Sequence, residues 1–116
     1  MVIEMARGDV YCVPLALFID GQPTDILMDE VYFTVKKHHY NHEALLQKCI
    51  SNGGIVPDNE GSYVLTINPE DTDGLDFGTY EFDIEVVKLP GIKRTFVGEF
   101  ILTSEVTHRS NEVEST

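Results

Sequence analysis

His38, His39, His42 and Glu43 fall within six positions and form the first group that could do metal chemistry. On a helix, His38 and His42 would stand one turn apart on one face, a spacing that can hold zinc. A catalytic zinc needs a third protein ligand, and spacing places none there. The plainer reading is a solvated excursion that is rich in histidine. Asp71, Asp73 and Asp76 around Gly74 suggest an oxygen-rich calcium loop. The D-x-D-x-D-G order and the distant glutamate of an EF-hand are missing, however. Helix capping accounts for Asp71 and a strand corner for Asp76, so neither cluster is assigned a metal.

Twenty acids always offer carboxylate pairs of the kind glycosidases use. The best-ordered set, Glu81, Asp83 and Glu85, alternates with apolar residues and is expected on an outward strand face. Water there would leave nothing to raise a pKa for acid catalysis. No G-x-S-x-G elbow, P-loop or G-x-G-x-x-G occurs. The two cysteines, Cys12 and Cys49, lack a C-x-x-C neighbour and are expected as buried free thiols in a reducing compartment. No catalytic residue and no cofactor is assigned, and the chain is expected not to be an enzyme.

Charge narrows the partners. The chain has 116 residues, one domain's worth, with 42 % hydrophobic and 24 % charged residues and a formal net charge of −12 at pH 7. Nucleic-acid binding needs a basic stripe, and Lys36-Lys37 and Lys93-Arg94 are the only adjacent bases. An anionic membrane surface would repel such a chain. No apolar run reaches the ~20 residues that span a bilayer, and Met1 to Arg7 lacks the pattern of a secretory signal. Acidity of this degree fits solubility at high local concentration, the plainer reading, or docking on a basic protein patch, and no nucleic-acid or membrane partner is expected.

The elements that must carry these residues are mostly strands. Val10 to Ile19 is apolar on both faces and is expected to be covered on both sides for part of its length, ending at the turn Asp20-Gly21-Gln22-Pro23. Glu30 to Lys37 alternates, with Val31, Phe33 and Val35 on one face. His38 to Ile50 breaks that rhythm. Asn41 as N-cap, the pairs Leu45/Cys49 and Leu46/Ile50, and Asn52-Gly53-Gly54 as a stop predict a short helical excursion near 41–50. Strands resume at Gly54 to Pro57 and Ser62 to Asn68. Asn68-Pro69-Glu70-Asp71-Thr72 then predicts a single helical turn.

Tyr80, Phe82, Ile84 and Val86 alternate with acids in the clearest strand of the chain. Pro90-Gly91 turns it into a return strand from about Lys93 to Thr103, with Phe96, Gly98, Phe100 and Leu102 on one face. Asp76-x-Gly78-x-Tyr80-x-Phe82 resembles the D-x-G-x-Y-x-C corner of immunoglobulin domains, in which the tyrosine hydroxyl bonds to upstream backbone. The expected fold is an all-β, immunoglobulin-like antiparallel β-sandwich of about seven strands over residues 1–104, followed by a polar C-terminal tail at 105–116.

Several further stretches resemble one group of proteins. They are Asp71-Thr72-x-x-Leu75-x-x-Gly78-x-Tyr80-x-Phe82-Asp83-Ile84, Gly98-x-Phe100-x-Leu102, Val106-Thr107-His108-Arg109, Gly8-Asp9, Asp20-Gly21-x-Pro23-x-Asp25 and Phe33-Thr34-Val35-Lys36. In this order they are similar to the small virion structural proteins of tailed phages and prophages, and in particular to the N-terminal domains of phage baseplate upper proteins. The resemblance implies a non-enzymatic tail or baseplate component in the virion, docking on other virion proteins or on further copies of itself. It implies no catalytic or cofactor residue. The rival expectation is a carbohydrate- or calcium-binding β-sandwich module, which would show Tyr32, Tyr40 and Tyr63 exposed in one groove.

Overall fold

Alternation of apolar and polar residues lets a strand bury one face and wet the other, and that pattern builds nearly all of this protein. A computed structural model describes residues 1–16, 18–19, 22–23, 28–38, 40–58 and 62–104. The strands are β1 (Val2–Ala6), β2 (Tyr11–Ala16), β3 (Phe18–Ile19), β4 (Gln22–Pro23), β5 (Glu30–Lys36), β6 (Leu46–Cys49), β7 (Ile55–Pro57), β8 (Ser62–Ile67), β9 (Gly78–Lys88) and β10 (Ile92–Thr103). One helical turn, α1 (Pro69–Thr72), joins β8 to β9. The fold is all-β. Its larger sheet has the order β1-β10-β9-β5-β6 and its smaller one β2-β8-β7, while β3 and β4 pair with each other. No helix among the described residues is long and apolar enough to cross a membrane.

Val31, Phe33 and Val35 of β5, Tyr80, Phe82, Ile84 and Val86 of β9, and Phe100 and Leu102 of β10 supply the inner face of the larger sheet. Val13, Leu15, Ile55, Tyr63, Leu65 and Ile67 supply that of the smaller one, and all of them belong to one contiguous core. Burying each such side chain stabilises the fold by roughly 1.5–3 kcal/mol relative to exposure. Gly98 is set by close approach. A Cβ there would run into the Met1 carbonyl oxygen and come within 2.8 Å of the Phe82 ring, so any side chain would push β1 off β10.

The predicted corner is present. Tyr80 Oη donates to Asp76 O at 2.6 Å, while its ring packs against Phe100 with centroids 6.4 Å apart. Burial, and secondarily the Asp76 carboxylate, push the phenol pKa up, so it stays a donor. Tyr80→Phe is expected to lower stability by about 1–2 kcal/mol with the ring packing intact; a denaturation midpoint indistinguishable from wild type would show that the bond contributes nothing.

Five features differ from the sequence expectation. First, β1 is an additional strand and pairs in parallel with β10, Val2 opposite Glu99 and Met5 opposite Leu102, so the sheet is mixed rather than antiparallel. Second, the helix predicted near 41–50 is instead a turn followed by β6, whose residues 46–49 pair antiparallel with β5. Asn41 does not cap a helix; its Oδ1 accepts the His38 N–H at 3.0 Å. The open edge of β5 offers this segment ladder bonds, and Glu30 holds the turn beyond it by accepting the N–H groups of Ile50 and Ser51. Tertiary pairing outweighs the helix-like spacing of Leu45 and Cys49.

Third, over Tyr11–Ala16 the strand is covered on one side only: Val13 and Leu15 are buried, whereas Tyr11, Cys12, Pro14 and Ala16 are exposed; the burial of residues 17–19 lies outside the description. Cys12 is therefore an exposed free thiol, and only Cys49 is buried. Fourth, Phe96 shares the side of β10 that carries Phe100 but is 44 % exposed, bordering a depression at the end of β2 beside Leu15 and Ala16. Fifth, the described residues form ten strand segments, two of them only two residues long, rather than about seven. The turn residues Asp20 and Gly21 and the predicted tail at 105–116 lie outside the described residues.

Candidate functional site

The residues flagged for metal chemistry do not come together. The His38 ring stacks on Tyr40 at 5.0 Å, His42 lines a depression on the outer face of the larger sheet, and His39 lies outside the described residues. Asp71 accepts the Asn68 N–H at 2.7 Å and forms an ion pair with Lys48 at 2.7 Å. Asp76 contributes its main-chain oxygen to Tyr80. Among the described residues, no three His, Cys, Asp or Glu side chains are grouped to hold a metal ion. The aromatic groove expected of a carbohydrate module does not form either, because Tyr63 is wholly buried and its Oη accepts the Met28 N–H at 2.8 Å.

Two surfaces remain. The first is the outer face of the larger sheet, where depressions of 460 Å³ and 400 Å³ share Thr34, Lys36 and Asp83. The strand register sets Asp83 between Thr34 of β5 and Val97 of β10, with Glu81 and Glu85 on the same side of β9. Contrary to expectation, this face is not simply solvated. Burial raises the Asp83 pKa, the Glu85 charge raises it further, and Lys36 opposes both. Tyr32, Glu81, Glu99 and His42 are the other titratable groups lining these depressions. The arrangement presents hydrogen-bond acceptors and negative charge, with Lys36 as its donor.

The raised Asp83 pKa has a definite consequence for stability. The folded value lies above the 3.8 of an ordinary aspartate, so the ionised carboxylate destabilises the fold at neutral pH. That penalty fades as pH falls through the folded and then the ordinary value. Asp83→Asn is expected to raise Tm at neutral pH, with the gap closing toward about pH 3. Thermal melts across this range test it; a lower Tm for the variant at neutral pH would contradict the assignment.

The second surface lies along the middle of β10, beside the start of β1. Phe96, Val97 and Met1 form an exposed apolar group there, with Val97 72 % and Met1 61 % exposed. Together with Pro14, Ala16 and Ile84 they border a depression of 380 Å³. Sequence reasoning set Phe96 on the face of Phe100 and Leu102 and did not mark this surface; Phe96 followed by Val97, apolar on both sides of the strand, is the signal that marks it. The β9–β10 hairpin is anchored by Asp29, whose carboxylate accepts the Leu89 N–H at 2.7 Å and pairs with Lys88 at 3.4 Å. The bond from Leu89 holds the Asp29 pKa below the usual aspartate value; burial opposes it, and Lys88 adds a further downward pull. No protein-family model matches the chain, and no curated protein matches it in sequence.

Proposed function

We propose that the chain is a non-enzymatic docking module of a tailed-phage or prophage virion, of the tail or baseplate type, built as an immunoglobulin-like β-sandwich. The finer fold reading is supported by two sheets around one core and by the Tyr80 corner. The virion reading is supported by the ordered resemblance of the Asp71–Ile84 stretch and its companions to phage structural proteins. Docking is supported above all by one observation: an exposed apolar group, Met1, Phe96 and Val97, at a sheet margin of a strongly acidic chain.

In this reading the module works by rigidity. Two packed sheets hold a strand margin and its flanking side chains in a fixed geometry, so little conformational freedom is lost when a neighbour docks. Its partners are other virion proteins, and its place is the virion. The test is size-exclusion chromatography with light scattering, on the chain alone and mixed with the products of adjacent genes. A complex of fixed stoichiometry is expected with at least one of them. Strict monomer behaviour with no complex would overturn the reading.

A further inference from the structure

The outer face of the smaller sheet is a third surface, and its composition sets it apart. No residue of β2, β7 or β8 is charged, in a chain of net charge −12. Odd-numbered residues of these strands share the side of the core, so the even-numbered ones point outward. Their middle row runs Pro14, Val64, Val56 in register, between the pairs Cys12–Thr66 and Ala16–Ser62. Cys12, Pro14, Ala16 and Val56 are exposed, Val56 at 52 %. Asp58 marks one corner just past β7, where its N–H donates to Ser62 O at 3.0 Å.

Two features say how this face is met and by what. Both margins of the smaller sheet carry proline, Pro14 on β2 and Pro57 on β7, which lacks the N–H an added strand would pair with. The face is therefore met flat rather than at an edge. The outer face of the larger sheet is its electrostatic opposite, with Glu81, Asp83, Glu85 and Glu99 against Lys36 and Lys93. A basic partner is drawn to that side. An uncharged face suits a partner that is itself acidic, because a carboxylate at the contact would meet like charge. A second copy of this chain always is, and an isologous contact needs only one such face.

We propose that two copies of this chain pair through the outer faces of their smaller sheets, with Val64 at the centre of a two-fold contact. The two faces pack as the sheets of a sandwich do, about 10 Å apart, with Pro14 and Val56 flanking Val64. The acid-rich faces of the larger sheets then point away from each other, which keeps the −12 of each copy apart. Three short strands supply roughly 300–400 Å² per copy, under the ~800 Å² of a stable interface. The pair is accordingly weak, with a dissociation constant of about 0.1 mM. The inference goes beyond the docking reading above and uses none of Met1, Phe96 and Val97.

The test is sedimentation equilibrium of the full chain from about 10 µM to about 1 mM. A monomer–dimer equilibrium is expected, and it tightens from about 50 mM to about 300 mM NaCl as the residual repulsion is screened. Val64→Glu weakens it at least about tenfold, and so does Val64→Lys, which lowers the net charge yet sets two ammonium groups in the contact. Thr79→Glu, at an exposed position on the larger sheet, adds the same charge as Val64→Glu and leaves the dimer nearly intact. A chain still monomeric at about 1 mM, a dimer that weakens with salt, tighter pairing by Val64→Lys, or equal losses from Thr79→Glu and Val64→Glu would overturn the proposal. Cys12 carries the test on wild type where a Val64 variant fails to fold, being the exposed thiol of this face while Cys49 is buried. Its alkylation slows at least about threefold between the two concentrations; an unchanged rate overturns the pairing. Should the monomeric chain still form the virion-protein complex, self-pairing fails while docking stands, and loss of that complex in Val64→Glu gives the face to another protein. Should the chain dimerise yet bind no virion protein, self-pairing stands and docking on virion proteins fails.

Discussion

Phe100→Ala is expected to lower the unfolding free energy by about 3–5 kcal/mol, the largest effect of any single truncation proposed for this chain. Phe100 is completely buried. It sits opposite Tyr80 in the β9–β10 register, with the Tyr80 ring at 6.4 Å and the Phe33 ring at 6.4 Å on edge. Truncation loses the transfer free energy of the ring and leaves a void that three strands cannot close without shifting their ladder. Phe96→Ala is the matched control: the same residue type, strand and side, but 44 % exposed. Its expected loss is under about 1.5 kcal/mol, in proportion to the smaller area withdrawn from water. Urea midpoints for the two variants decide the matter. Similar losses at both positions would mean that Phe96 belongs to the core as fully as Phe100.

That contrast also shows how far this fold is legible in its sequence. The β9 alternation from Tyr80 to Val86 reads directly because one face is buried along its whole length and the other is only half-buried. The β10 pattern carries the same period but not the same cover, and nothing in Phe96 itself reveals that it is exposed. β1 went unread because its partner lies about a hundred residues away and pairs in parallel, a contact without a local signature. β6 was misread because Leu45 and Cys49 are spaced for a helix, and only the open edge of β5 decides otherwise. The corner was legible because Tyr80 bonds to a residue four positions upstream, which makes it a local motif. For the candidate surfaces the same division holds. The type of each outer-face acid was visible, but the burial that shifts Asp83 depends on its neighbours on β5 and β10.

Lys48→Ala is the second large effect expected, at about 2–4 kcal/mol. Lys48 lies opposite Phe33, so its stem starts out on the inner side of the larger sheet. Gly54 covers that stem so closely that a Cβ there would come within 2.8 Å of the Lys48 Cβ. The ammonium meets Asp71 Oδ2 at 2.7 Å, with side-chain exposures of only 12 % and 15 %. The same carboxylate oxygen accepts the Asn68 N–H that starts α1. The buried Thr72 of that turn takes the Gly8 N–H at 2.9 Å, tying it to the end of β1. Removing the lysine thus strands a nearly buried carboxylate at a junction that joins β6, α1 and the β1–β2 connection. Lys48→Met keeps the volume of the stem yet is expected to destabilise almost as much, because the charge and not the packing is what Asp71 loses. The double variant Lys48→Met/Asp71→Asn should recover at least about 1 kcal/mol relative to the sum of the single changes. A double-mutant cycle from urea denaturation measures this. Strict additivity, or a Lys48→Met variant as stable as wild type, would mean that the two side chains are neighbours without being energetically coupled.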